Sequence, residues 1–283
     1  MVSWRMTRRS ALLLSLGAPA ALAQISPVRW TPHPVFNGAP ILFRSKTYSG
    51  PATWLDKPVE FRPDSGSPDP VFTALAGVDL KRKPGRYPLV FPAGAGLASV
   101  EVPVIAHPYP ASRITVPEKF VKPPKEVQAR IDAEAAIKRG VFSSSPENDR
   151  RWLGAFTAPV NTRYTSSFGA RRVYNGETKS THQGLDYSAL PGTIVRAANS
   201  GHVALAREMY FEGGLVVLDH GESIFTLYMH LSEFLVKEGS VVEKGAEIAK
   251  SGSTGRVTGP HLHFAVQWKG IYVEPSTLLR LWQ

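Results

Sequence analysis

The sequence predicts a mainly β chain: a small N-terminal β-sandwich of immunoglobulin-like type, one linker helix, and a second, antiparallel β-sheet domain. Three observations carry this expectation. The 283 residues include 24 Gly and 24 Pro, which disfavour a bundle of long helices and favour short strands joined by turns. Apolar residues fall in short runs, bounded by clusters of Gly, Pro, Asp and Ser. A helical period is clear in one segment only, with a weak second case between Pro275 and Leu281.

Residues 1–23 read as a secretory signal. Arg5, Arg8 and Arg9 precede the apolar run that starts at Ala11, and Ala21-Leu22-Ala23 forms a small-x-small cleavage site. The run is short for a membrane span. Thr7-Arg8-Arg9-Ser10 hints at twin-arginine export, so the choice between that route and general secretion stays open. Cleavage would lower the formal charge from +10 to +7. A basic exported protein suits an anionic partner such as a cell wall or a membrane surface. No basic stripe with interleaved aromatics points to nucleic acid.

The expected N-terminal domain covers residues 24–108. Its strand candidates are Val35-Phe36, Ile41-Leu42-Phe43, Val59-Glu60-Phe61, Val71-Phe72, Tyr87 to Phe91 and Val100-Glu101-Val102. His33 and His107 stand alone there and read as surface residues. Residues 109–149 form the linker, rich in Pro and Lys at its start. Within it Val127, Ile131 and Ala135 recur every four residues between charged neighbours. This predicts one amphipathic helix, opened at Pro123-Pro124, closed by Gly140, and packed on a neighbouring domain. Residues 150–283 return to glycine-spaced β-type runs such as Leu215 to Leu218 and Ile224 to Tyr228.

Chemistry concentrates in this last part. Cysteine is absent, so a thiol nucleophile, a disulfide scaffold, an iron–sulfur cluster and Cys-ligated zinc are excluded. Six of the eight histidines lie after residue 180. His182-Gln183-Gly184-Leu185-Asp186 places a His and an Asp an even number apart, on one face if extended. In Gly259-Pro260-His261-Leu262-His263-Phe264, a strand turns both histidines one way and Leu262 and Phe264 the other. His230 ends an apolar strand. A nitrogen–oxygen donor set without sulfur suits zinc with an open position for water, hence hydrolysis. No His-Glu-x-x-His motif supplies a glutamate base, which leaves that task to the surplus histidines.

These motifs resemble the lysostaphin-like zinc endopeptidases (LytM domain) that cut peptide bonds in bacterial peptidoglycan. The resemblance runs through Ser167-Phe168-Gly169 with Arg171-Arg172, His182-x-x-x-Asp186, Pro191-Gly192-Thr193, Gly201-His202-Val203 and His220-Gly221. It continues through Tyr228-x-His230-Leu231, Gly252-x-Thr254-Gly255 and Gly259 to Phe264, spanning about residues 155–277. It implies one zinc per chain, held by His182, Asp186 and His263, in a groove over a β-rich sheet. It gives His230 and His261 the catalytic roles of accepting the water proton and stabilising the oxyanion, without dividing these between them. The implied partner is the peptide stem of peptidoglycan, and the implied place is the periplasm, or the cell wall or medium. Two other readings are a wall-binding module that activates an amidase and a secreted bacteriolytic toxin; the five intact residues argue against the first. Ala76 to Leu80 and Lys83 to Leu89 are similar to a β-sandwich domain that precedes such peptidases.

Four further residues complete the expectation. Tyr228 and Asn175 are candidates for the substrate groove. His220 reads as structural and His202 as a strand surface residue.

Overall fold

The computed structural model describes residues 28–283 apart from Pro68, Asn148 and Glu177, so the expected export signal lies outside the described residues. The chain is mainly β, as its turn-rich sequence predicts. Eight short strands form the first sheet, in the order Arg29–Thr31, Pro40–Ser45, Phe72–Gly77, Lys57–Pro63, Gly50–Trp54, Gly85–Ala93, Gly96–Ile105 and Val35–Phe36. The strand Lys57–Pro63 turns the corner. Its first part pairs with Gly50–Trp54, and its last two residues pair with Thr73 and Phe72. Phe43 thereby meets Trp54 and Phe61, at ring-centroid distances of 5.3 and 6.4 Å.

The second, antiparallel sheet carries the histidines. Its central strands are Leu262–Trp268, Ile224–Phe234 and Gly213–Asp219. Every residue of Gly213–Asp219 is buried, which explains its unbroken apolar run: both faces are covered. Alternate residues serve two cores. Val216, Leu218, Tyr228, Leu262 and Phe264 face the main core, which continues without a break into the N-terminal sheet. Leu215, Val217, Phe225, Leu227 and Ala265 face the other way, toward Val141 and Phe142.

Those two residues belong to the helix α1 (Lys125–Ser144). The helix does not stop at Gly140. Val141 and Phe142 dock on the sheet, with Phe142 5.2 Å from Phe225, and this burial outweighs the ~1 kcal/mol that an internal glycine costs. The half-buried stripe Val127, Ile131, Ala135 and Lys138 marks its inner face. Glu134 accepts a hydrogen bond from the Tyr210 backbone N–H at 2.7 Å, and Lys138 pairs with Glu212.

The start of the expected linker is also part of the fold. Ala111–Ile114 pairs in parallel with Arg171–Tyr174, whose other edge pairs with Thr178–Thr181. Four residues with one half-buried apolar side chain give too weak an alternation to read as a strand. Arg150 ties the two sheets together. It sits between Glu222 at 3.1 Å and the Thr73 carbonyl, which accepts its hydrogen bond at 2.8 Å. A second short helix, α2 (Pro275–Leu278), falls where the weak period predicted it.

His220 is structural. It is fully buried, donates from Nδ1 to the Ser200 carbonyl at 2.7 Å, and holds Nε2 2.8 Å from the Thr226 hydroxyl. Burial pushes its pKa down from 6.5 to about 4. The unfolded chain therefore takes up this proton first. The stability contributed by neutral His220 is complete above pH 6.5 and is lost as pH falls to about 4, some ~3 kcal/mol in all. Denaturant titrations at pH 7 and pH 4 check this: the loss of stability should be smaller by about that amount in His220→Gln.

Candidate metal centre

The strand Leu185–Tyr187 lies beside Leu262–Trp268, with Asp186 directly opposite His263. His182 stands in the short turn just before, where its backbone N–H bonds to the Ala170 carbonyl at 2.8 Å. Three side chains distant in sequence thus converge. His182 Nε2 is 3.0 Å from Asp186 Oδ1 and 3.0 Å from His263 Nδ1, and His263 Nδ1 is 2.8 Å from Asp186 Oδ1. All three residues are at most 9% exposed.

The hydrogen bonds behind these atoms fix what they offer. His182 Nδ1 donates to the Ser167 carbonyl at 2.8 Å, since a carbonyl only accepts. Its Nε2 is then a lone pair aimed at a carboxylate oxygen. Two electron-pair donors at 3.0 Å repel unless an electron-pair acceptor sits between them. The second carboxylate oxygen, Asp186 Oδ2, accepts a 2.5 Å bond from Arg172, which leaves Oδ1 free for the centre. Burial works to raise the Asp186 pKa, but its contacts with His182 and His263 prevail and hold the carboxyl far below the ordinary carboxylate range. Burial also lowers the pKa of His263, against the pull of Asp186. This all-nitrogen-and-oxygen set, charged once and spaced near 3 Å, fits a divalent ion bound at about 2.0–2.2 Å.

His230 and His261 complete the cluster. Their rings lie 4.8 Å apart, and the His230 ring is 6.0 Å from that of His263. His230 Nδ1 donates to the Thr254 carbonyl at 2.9 Å, and His261 Nδ1 donates to the Gly259 carbonyl at 2.8 Å. Each is thereby left with Nε2 as its free nitrogen, and that of His261 is 3.7 Å from Asp186 Oδ1. Burial, and then the charges of His263 and His261, push the His230 pKa well below 6.5.

A β-bulge brings His230 into this group. The pairing of Gly213–Asp219 with Ile224–Phe234 slips between Gly214 and Val216, so that Leu231 and Tyr228 both face the main core. Met229 and His230 both line the groove instead. His230 takes a φ of 67°, a left-handed conformation costing ~1–3 kcal/mol in a non-glycine residue. Such strain persists where surrounding contacts enforce it, as the bonds from His230 to Glu212 and Thr254 do.

Two groove expectations need correction. Tyr228 does not line the groove. It is fully buried, and its hydroxyl accepts the Ala198 N–H at 2.8 Å and lies 3.0 Å from Thr226. Counting by two from Phe264 explains this, because Tyr228 pairs with that core residue. Asn175 stands at the tip of the hairpin Arg171 to Thr181 with φ 50°, as the Asn-Gly pair suggests. Its side chain is spent on both backbone groups of Val116, at 3.0 and 2.9 Å.

Three residues matter more than their sequence signals suggested. Arg172 secures Asp186. Thr254 orients His230 through its carbonyl. Gly184 leaves room for His263: a Cβ there would lie 2.4 Å from His263 Nε2 and 2.6 Å from the Phe264 carbonyl oxygen. In the sequence Gly184 stands only as a spacer between His182 and Asp186.

Comparison with known proteins places this geometry. Residues 180–275 match the model of peptidase family M23. The chain carries an M23 metallopeptidase domain. The matched span holds His182, Asp186, His230, His261 and His263. Over 147 residues the chain is 39% identical to the peptidoglycan DD-endopeptidase ShyA of Vibrio cholerae, covering 52% of this chain and 33% of ShyA. It is 41% identical over 119 residues to the DD-carboxypeptidase/endopeptidase Mpg of Neisseria meningitidis, covering 42% of this chain and 27% of Mpg. The aligned part is thus about a third of the length of these curated relatives. A solved Pseudomonas aeruginosa protein described as a candidate M23 peptidase is similar across both sheets. Its TM-score is 0.66 at 27% identity, over 87% of this chain and 95% of that one.

Proposed function

We propose that this chain is an exported, zinc-dependent endopeptidase that hydrolyses peptide cross-links of bacterial peptidoglycan. One observation carries the reading. Three donor atoms from His182, Asp186 and His263 meet within 3.0 Å, beside two further histidines with free Nε2 atoms. His182, Asp186 and His263 would hold the ion. Bound zinc acidifies water and polarises a carbonyl.

The chain's own groups supply the rest. His230 keeps its proton on Nδ1 through Thr254, so Nε2 is the basic atom, and its lowered pKa keeps it neutral near pH 7. His261 likewise holds a proton on Nδ1 through the Gly259 carbonyl, which leaves its Nε2 facing the centre. One of these imidazoles takes a proton from the attacking water. The protonated ring then faces the oxyanion or passes its proton to the leaving amine. Arg172 holds Asp186 so that the carboxylate does not rotate away.

Peptidoglycan as substrate is supported by the names of ShyA and Mpg, and points to a D,D cross-link. Export is supported by the leader at residues 1–23. Among the described residues no helix is long and apolar enough to cross a membrane. Intact sacculi incubated with the zinc-loaded chain, with and without chelator, test the reading by mass analysis of released products. Chelator-sensitive loss of cross-links is expected. Unchanged sacculi under metal-loaded conditions contradict it.

A further inference from the structure

Besides His182, His230 and His263, the groove over the metal centre is lined, among the described residues, by four charged side chains: Lys138, Arg172, Glu212 and Arg256. Three of these have partners. Arg172 is bonded to Asp186, and Lys138 is paired with Glu212. Arg256 forms no ion pair and no side-chain hydrogen bond among the described residues. Its guanidinium carbon instead lies 4.8 Å from the ring centroids of both Tyr174 and Phe211. Its backbone N–H bonds to the Phe211 carbonyl at 2.8 Å.

Two aromatic rings fix the position of this cation without neutralising it. Beside aromatic rings, a guanidinium keeps its N–H donors in its own plane, in the fork that suits a carboxylate. The half-buried setting weakens competition from water. Arg256 also stands next to the chemistry. Thr254, whose carbonyl orients His230, is two residues earlier, so the two Cα atoms are within ~7 Å. Tyr174 is two residues beyond Arg172, which holds Asp186.

We propose that Arg256 receives a carboxylate of the substrate peptide and makes the enzyme selective for peptides with a free carboxylate near the scissile bond over their amidated counterparts. This rests on the peptidase reading above. It adds a specificity determinant on the groove wall, outside the metal ligands and the catalytic histidines.

The test uses two cross-linked peptides of one sequence, one with free carboxylates and one with those groups converted to carboxamides. Both are offered to the zinc-loaded full chain and to Arg256→Gln and Arg256→Lys. Cleavage gives kcat and KM, and calorimetry on the metal-free proteins gives binding. The unsubstituted chain should favour the free carboxylate by about 10- to 100-fold in kcat/KM, chiefly through KM. The preference should vanish in Arg256→Gln and keep its sign, reduced, in Arg256→Lys. Retained preference in Arg256→Gln overturns the proposal, as does an equal slowing of both peptides in both variants, which marks a stacking scaffold. If neither peptide is cleaved by the unsubstituted chain, it is the peptidase reading that fails. Binding then still decides the point, because equal affinity for the two peptides overturns the role of Arg256.

Discussion

Replacing Asp186 by alanine is expected to abolish metal binding and hydrolysis together. The loss should exceed the roughly 10- to 100-fold that removing a hydrogen-bond partner behind a ligand brings, because Asp186 Oδ1 is itself one of the three converging atoms. It should also weaken the fold. Arg172 is largely buried against this carboxylate, and stranding such a charge costs about 3–5 kcal/mol. Asp186→Asn separates the two effects. It retains a polar partner for the guanidinium but removes the negative charge from the centre, so more of the stability should return than of the zinc affinity. Chelator competition and denaturant unfolding read the two quantities. Wild-type zinc affinity in Asp186→Ala contradicts the assignment.

Gly184→Ala should be nearly as damaging, although it removes no functional group. The added methyl would lie 2.4 Å from His263 Nε2, and the backbone carbonyl of Phe264 blocks retreat at 2.6 Å. The imidazole must swing aside or the strand must move, and overpacking of this kind typically costs about 1–3 kcal/mol. A shift of a few tenths of an ångström at His263 Nδ1 opens the triangle of donors. Zinc affinity should fall at least about 10-fold, with loss of cleavage at limiting zinc. Raising the zinc concentration should restore part of the activity, a recovery not expected for Asp186→Ala. Unchanged zinc affinity in Gly184→Ala would mean that the close approach has no bearing on the centre.

The sequence carried the chemistry of the centre more fully than its geometry. Residue type alone limits the donors, because a chain without cysteine must bind a metal through His, Asp or Glu. The two-residue step from His261 to His263 puts both on one face, and the structure agrees, with Leu262 and Phe264 fully buried behind. The pairing of Asp186 with His263 is a register, set by strands 77 residues apart, and no local pattern encodes it. The bulge at His230 is similarly silent. It depends on a backbone held at φ 67° by partners at Glu212 and Thr254, so plain alternation misplaces the residue. Tyr228 misled for the opposite reason: adjacency in sequence to His230 suggested the groove, whereas its own alternation sends it to the core. At fold level the strands were visible as apolar runs between turns. The continuation of α1 past Gly140 and the pairing of Ala111–Ile114 were not, because tertiary contacts decide both.

The most direct test of the account is a zinc titration of the metal-free full chain in which bound zinc and cross-link cleavage are followed together. Both should rise in parallel and level off at one zinc per chain, and His263→Ala should remain silent in both. Cleavage by the metal-free chain, or saturation at one zinc with no cleavage of any cross-linked peptide, would contradict it.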